Sequence, residues 1–143
     1  MDHLVAEFFL ELREKTLQHA DENCLLMGDL NTTLEEQRDR KNYETDNHRR
    51  CRTVINNWIQ EGDYVDVFRA FYPDRESYTY RVQGNQIKRS RLDYALASRE
   101  LFGKVTEIKH THFSSSITDH AGVTVKSYWN TIRKDLAASG QLH

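Results

Sequence analysis

Hydrophobic residues recur with a helical period in the N-terminal segment of the chain. Leu4, Phe8 and Leu12 follow one another at four-residue intervals, and charged residues occupy many of the other positions. Side chains that are four residues apart share one face of an α-helix. The pattern therefore predicts an amphipathic helix over residues 3–20.

A second helix is predicted over residues 48–61, where a densely charged segment runs into apolar residues at helical spacing. Ile55 and Trp58 lie on the apolar side of this helix and are expected in the core. Gly62 is in the right place for a C-cap. The tail at residues 130–138 is compatible with a last helix.

Short apolar or β-branched runs predict the strands. The run at residues 24–27 stops at Gly28-Asp29 and is typical of a buried strand. Three further strand candidates lie at residues 92–97, 105–113 and 123–129, with shorter aromatic pieces at residues 65–68 and 78–80. Helix and strand patterns together, with no repeat or linker, predict one α/β unit.

Composition narrows the class of protein. The 143 residues suit one ordinary domain, and 38% hydrophobic with 29% charged residues indicates a globular chain. The formal net charge of -2 argues against a protein that binds nucleic acid through its overall charge alone. Any contact with phosphate then requires a local basic patch or a bound cation.

The cysteines and the N-terminal residues bear on the cellular compartment of the protein. Cys24 and Cys51 are too few for a disulfide framework, which favours an intracellular, reducing environment. Cys24 lies in an apolar run and is expected to be buried. The first residues lack the features of a signal peptide, and no apolar stretch approaches the roughly 18 residues of a membrane span.

The first group with candidate chemistry is Gly28-Asp29-Leu30-Asn31, directly after a predicted strand. Residues i and i+2 of an extended segment face the same way, so Asp29 and Asn31 are expected to point together from a strand end. A carboxylate there can accept a proton from water or approach a cation. The alternative is an Asx turn that only stops the strand.

The second group is Arg91-Leu92-Asp93-Tyr94, which places Asp93 inside an apolar strand. A carboxylate in such a run needs a partner, because an unpaired buried charge is costly. Arg91 is one candidate partner. A histidine is the other, since a carboxylate that accepts an imidazole N–H fixes the tautomer and supports the cationic form.

The third group is Thr118-Asp119-His120, which precedes the last predicted strand. Both Asp119 and His120 can bind a metal or transfer a proton. An Asp-His pair taken alone is common in proteins and has little specificity.

The order of the three groups resembles the endonuclease/exonuclease/phosphatase (deoxyribonuclease I-like) superfamily. Strand–Gly-Asp-x-Asn, then Ser-Arg-x-Asp-Tyr, then Asp-His corresponds to the second half of that fold, and the resemblance spans residues 5–128. The connecting segments at residues 64–69 and 78–80 are similar to those of LINE-type retrotransposon and abasic-site endonucleases. The resemblance implies an α/β fold, the second half of a four-layer α/β sandwich with a mainly antiparallel sheet and helices packed on one face.

The resemblance also implies roles for individual residues. Asp29 would be the general base that activates water, and Asn31 would orient the nucleophile and phosphate. His120 would contact the scissile phosphate, and Asp93 would orient that imidazole. Asp119 would be associated with the metal, for which Mg²⁺ is expected and Mn²⁺ is an alternative.

The expected partner is DNA. The resemblance implies that a loop near Lys88, Arg89 and Arg91 can touch DNA, so these three residues are candidate contacts. A solvated hairpin is the alternative. A retroelement endonuclease would be located in the nucleus. No association with a membrane is expected.

The chain departs from the family pattern because the motifs of the first half are not found in it. We interpret residues 1–143 as the C-terminal half of the family domain. A half domain would expose an apolar sheet face, so a homodimer or a separate N-terminal half is expected to cover it.

The expected function is hydrolysis of DNA phosphodiesters by a metal-dependent endonuclease of retroelement type. The first alternative is a catalytically incomplete fragment that acts as an assembly or nucleic-acid-binding module. A phosphatase of the same superfamily is the second alternative.

Overall fold

The computed structural model describes residues 2–19, 22–43, 49–61 and 64–128. The elements in these segments, in chain order, are α1 (Asp2–Leu17), β1 (Leu25–Asp29), α2 (Glu36–Asp39), β2 (Arg40–Lys41), α3 (Arg49–Gln60), β3 (Tyr64–Asp66), α4 (Val67–Phe71), β4 (Tyr80–Val82), β5 (Lys88–Ser90), β6 (Asp93–Ser98), α5 (Arg99–Phe102), β7 (Val105–Thr111) and β8 (Gly122–Ser127). All strand pairs are antiparallel, in the orders β1-β6-β3, β2-β5-β4 and β7-β8. The prediction of an α/β fold with a mainly antiparallel sheet is confirmed.

Strand β6 is the centre of the core, since it pairs with β1 on one side and β3 on the other. Successive side chains of a strand point to opposite faces. Tyr94 and Leu96 therefore pack into one apolar cluster with α1 and α3. Ala95 and Ala97 pack into a second cluster with α4, α5 and the β7–β8 pair. Both faces of this strand are covered.

Helix α3 follows the predicted pattern closely. Cys51, Ile55 and Trp58 are spaced by four and three residues, and all three are buried. The Trp58 ring meets the Tyr64 ring edge to face at 5.1 Å between centroids. The prediction that Ile55 and Trp58 belong to the core is confirmed.

Helix α1 is present where predicted, but its apolar stripe is only partly buried. Ala6 and Phe9 enter the core, whereas Leu4 and Phe8 are 68% and 57% exposed. The helix packs against α3 through only part of its apolar face, since Phe9 and Leu12 contact the core cluster whereas Leu4 and Phe8 are exposed. Several apolar side chains of α1 remain on the surface as a result.

Strand β1 is an edge strand and is less buried than predicted. Cys24, Leu25 and Leu26 are half-buried, and Met27 is 47% exposed. The apolar run was interpreted as a buried strand, and this interpretation was wrong because β1 has a hydrogen-bonded neighbour only on its β6 side among the described strands.

Five short elements were not predicted from the sequence, namely α2, β2, α4, β5 and α5. Helix α4 is capped by Asp66, whose side chain accepts the Arg69 amide, and α5 is capped in the same way by Ser98. Strand β5 lies between β2 and β4, in a segment for which a DNA-contacting loop or a solvated hairpin was expected. The predicted C-cap at Gly62 and the tail helix at residues 130–138 lie outside the described residues. Nowhere in the described segments is a helix long and apolar enough to cross a membrane.

Candidate active site

Strand β1 ends at Asp29, and the chain turns there through Asn31. The Asn31 amide donates to Asp29 Oδ1 at 2.8 Å, and Asn31 has a left-handed φ of 52°. Asparagine tolerates this backbone region better than most residues. The Asx turn weighed as an alternative is therefore present. It uses only one carboxylate oxygen of Asp29 and leaves Oδ2 for other contacts.

Strand pairing brings Asp93 beside Asp29. The antiparallel register places Asp29 directly opposite Asp93, and opposed residues in such a pair project their side chains to the same face. Two carboxylates on directly opposed residues repel one another unless a positive group lies between them. The pairing of β1 with β6 therefore creates a site for a positive group.

The imidazole of His120 occupies that site. Its Nδ1 lies 2.8 Å from Asp93 Oδ2, and its Nε2 lies 3.8 Å from Asp29 Oδ2. The His120 side chain is 30% exposed, so a ligand can reach it. Of the two partners considered for Asp93, the structure selects the histidine and not Arg91.

The charge of His120 follows from these neighbours. Partial burial lowers its pKa, but the hydrogen bond and charge of Asp93, followed by the charges of Asp29 and Asp119, raise the pKa above its ordinary value. The imidazolium form is favoured, with Nδ1–H donated to Asp93. The Nε2–H can then donate to an anionic group and stabilise its charge.

A cleft of about 440 Å³ opens beside His120. Its lining includes three cationic side chains, those of Lys41, Arg81 and Arg89, and the aromatic ring of Phe113. Glu76 and Asp119 also line it, so the cleft carries both signs of charge. A negatively charged ligand with an apolar part can be accommodated next to the imidazole.

The candidate DNA contacts divide into two kinds. Lys88 is exposed and Arg89 is half-buried at the cleft, so both can reach a ligand. Arg91 is 0% exposed, so the expectation that it contacts DNA is wrong. Its guanidinium pairs instead with Asp39 and Asp66 inside the protein.

Asp39, Asp66, Arg69 and Arg91 form a buried ion cluster beneath the site. Arg91 donates Nε and Nη2 to Asp39 at 2.8 and 3.0 Å, and Nη1 and Nη2 to Asp66 at 2.9 and 2.7 Å. Arg69 Nη2 donates to Asp39 Oδ1 at 2.6 Å. Sequence reasoning missed this cluster because Asp39 lies in a charged run typical of a surface. The one available signal was Asp66 before an apolar run, which is typical of an N-cap.

Within the described segments, three side chains have ligand atoms close enough to one another to hold a metal ion. The ligand atoms of Asp29, Asp93 and His120 all lie within 4.8 Å of one another. The carboxylates fit a hard cation such as Mg²⁺, which prefers oxygen ligands. The imidazole does not, because Nδ1 is engaged by Asp93 and a protonated ring has no free lone pair. Asp119, the predicted metal residue, is exposed and lies outside this group.

Comparisons with known proteins show the family and the fold of the chain. The family described as the Endonuclease/Exonuclease/phosphatase family matches residues 4–120. Among solved structures, an AP endonuclease from Archaeoglobus fulgidus is similar, with a TM-score of 0.66 and 17% identity. The match covers 85% of this chain and 52% of that chain, so the present chain spans about half the length of its structural relative. At this identity the likeness concerns the fold. The comparison with curated proteins found no match.

Proposed function

The chain belongs to the endonuclease/exonuclease/phosphatase family, and on this premise we propose that it carries the catalytic residues of a metal-dependent phosphodiesterase. The observation that carries the proposal is the position of the Asp29 and Asp93 carboxylates on either side of the His120 imidazole. Within the family, we propose a DNA endonuclease of the retroelement type and assign the chain to the C-terminal half of the family domain.

Each residue has a distinct role in the proposed reaction. Asp29 Oδ2 is not used by the Asx turn and accepts the proton of the attacking water. Asn31, two residues further on, orients the water and a phosphate oxygen. His120 donates from Nε2 to the phosphate as negative charge develops there. Asp93 holds Nδ1 and thereby directs Nε2.

A divalent cation fits the carboxylates of the site but not its imidazole. The exposed Asp119 is the residue proposed to hold it, with Mg²⁺ expected and Mn²⁺ as an alternative. When bound, the cation offsets the negative charge of the phosphodiester and stabilises the developing oxyanion. The net charge of -2 makes such a contribution important for a chain that binds a polyanion.

DNA is the proposed substrate because the cleft beside His120 presents Lys41, Arg81 and Arg89 to an anionic chain. Exposed Lys88 lies next to this group. The retroelement type is supported by the connecting segments and by the Ser-Arg-Leu-Asp-Tyr form of the second motif. A nuclear location follows from this assignment and belongs to the proposal.

Nicking of supercoiled plasmid in Mg²⁺ tests the proposal. We expect nicking that requires the metal and is lost in Asp29→Ala and His120→Ala. His19→Ala and Asp74→Ala are matched controls, because both residues are exposed and lie in surface ion pairs. Equal nicking by all four variants would refute the assignment. Release of phosphate from a monoester, with no nicking, would favour the phosphatase.

A second candidate function, an assembly module, is favoured by one observation. An apolar groove of about 160 Å³ runs between α1, α3 and the β1 edge, and its lining includes Phe8, Met27 and Asp29. Phe8 and Met27 are both largely exposed. Large exposed apolar groups of this kind mark interaction surfaces. The proposed occupant is a separate N-terminal half, or a second copy of the chain in a homodimer.

Sedimentation velocity separates these cases. A concentration-dependent dimer that dissociates in Phe8→Glu indicates self-association through the groove. A monomer that gains nicking activity only after an N-terminal half is added indicates a divided enzyme. A monomer that nicks plasmid by itself would refute the assembly role.

A further inference from the structure

Thr79 is buried at the junction of three segments that meet beneath the candidate active site. Its exposed fraction is 1%, and it lies just before β4. The sequence around it, Tyr78-Thr79-Tyr80, indicates a strand and gives no sign of chemistry. The hydrogen bonds of Thr79 connect it to the backbones of both Asp93 and the residue that follows His120.

The side chain of Thr79 holds the start of β6. Its Oγ1 accepts the amide N–H groups of Leu92 and Asp93, each at 3.0 Å. A hydroxyl oxygen has two lone pairs, and both are used here. An amide that loses its partner in this partly buried region carries a free-energy cost, so the backbone stays where the hydroxyl can reach it. The direction of the Asp93 carboxylate is set in this way.

The backbone of the same residue holds the segment that contains His120. The Ala121 amide donates to the Thr79 carbonyl at 2.7 Å, and Tyr80 pairs with His120 in an isolated antiparallel bridge. The Arg81 amide donates to the Asp119 carbonyl at 3.2 Å. Residues 111–117 before this bridge are exposed. The position of His120 therefore depends on its pairing with residues 79–81.

We propose that Thr79 is a positioning residue of the active site, because its hydroxyl places Asp93 and its carbonyl places the His120 segment. The 2.8 Å contact between Asp93 Oδ2 and His120 Nδ1 follows from these two placements. The catalytic consequence rests on the proposed phosphodiesterase function. The geometric consequence does not, since it concerns a hydrogen bond within the protein.

Two substitutions distinguish the effect of the Thr79 hydroxyl from the effect of the size of its side chain. Thr79→Ser keeps the acceptor oxygen. Thr79→Val keeps the branched shape but leaves the Leu92 and Asp93 amides without an acceptor. A displacement of a catalytic group by about 1 Å can cost roughly 100-fold in rate. We expect Thr79→Val to lower kcat for plasmid nicking by about this factor with little change in KM, and Thr79→Ser to restore it.

A matched control accounts for simple destabilisation. Thr16 is also buried, and its hydroxyl bonds to the Leu12 and Arg13 carbonyls within α1. Thr16→Val therefore removes a buried threonine hydroxyl without touching the site. Urea unfolding of all variants shows whether each is folded under assay conditions. The control is expected to lose stability without losing kcat.

The deciding measurement is the proton NMR signal of the His120 Nδ1–H in metal-free protein. A hydrogen bond to a carboxylate moves this signal strongly downfield, and His120→Ala and Asp93→Asn assign it by its loss. We expect the signal to vanish or move upfield in Thr79→Val and to persist in Thr79→Ser and Thr16→Val. Persistence in folded Thr79→Val, at wild-type kcat, would overturn the proposal. Absence of nicking in every variant, with and without an added N-terminal half, would reject the phosphodiesterase function while the NMR result still decides the role of Thr79.

Discussion

Replacement of Asp39 by asparagine tests whether the buried ion cluster supports the fold. The Asp39 carboxylate is 0% exposed and accepts from Arg91, Arg69, the Tyr94 hydroxyl and the Glu35 amide. Asparagine keeps the size but removes the charge. It also turns an NH₂ group toward guanidinium groups that are themselves donors. The substitution thus leaves two arginines without this charged acceptor.

The expected loss follows from the contacts that remain. Removal of one partner from a buried ion pair costs about 3–5 kcal/mol. Arg91 keeps its two bonds to Asp66, which places the estimate near the lower limit, about 3 kcal/mol. With a urea dependence of about 1–3 kcal/mol per molar, the unfolding midpoint should fall by roughly 1–3 M.

Asp74→Asn is the matched control. Asp74 is 93% exposed, and its contact with Arg38 is 3.9 Å long. Surface substitutions of this kind usually change stability by less than about 0.5 kcal/mol. If Asp39→Asn lost less than about 1 kcal/mol, or no more than the control, the argument from buried charge would be refuted.

The same cluster predicts a pH dependence. Burial opposes ionisation of Asp39, but the hydrogen bonds and charges of Arg91 and Arg69 outweigh it and hold the pKa below its ordinary value of 3.8. A lowered folded-state pKa stabilises the fold fully above the unfolded value, and this contribution is lost as pH falls through the folded-state pKa. The difference between wild type and Asp39→Asn should therefore shrink below about pH 4. A difference that stayed constant there would contradict an ionised Asp39.

Three further substitutions test other parts of the molecule. Asp93→Asn should lower kcat for nicking at least about 100-fold, because the imidazole loses the acceptor that directs it; unchanged kcat would exclude that role. Ser98→Ala should destabilise the fold by about 1–2 kcal/mol in urea, since Ser98 caps α5 and bonds to Cys24 and Glu22; an unchanged midpoint would contradict this. Arg89→Ala should weaken DNA binding and reduce the salt dependence of binding by about one unit, measured by fluorescence anisotropy; an unchanged slope would remove Arg89 from the interface.

Local patterns in the sequence predicted much of the fold. Helix α3 and its buried residues followed from spacing alone, because a sharply amphipathic segment has one face that can be buried. The strands β1, β6, β7 and β8 also lie close to their predicted positions. The short elements α4, α5 and β5 were missed because three to five residues contain too little pattern to distinguish them from loops.

Three of the predicted site residues lie together in the structure, although the sequence did not give their geometry. Asp29, Asp93 and His120 were selected from three separate motifs, and the structure brings them together. Arg89 and Arg91 were both predicted to contact DNA. Arg89 lines the cleft, whereas Arg91 is buried. A basic run looks the same in sequence whether its members face solvent or the interior.

The sequence by itself determined the longer helices and strands and which residue types carry the chemistry. Tertiary structure alone decided the partners, since Arg91 meets Asp39 across 52 positions and His120 meets Asp93 across 27. It also decided that α1 leaves Leu4 and Phe8 exposed. The physical reason is that periodicity reports the local direction of a side chain. Which group lies opposite depends on strand register and on the packing of distant elements.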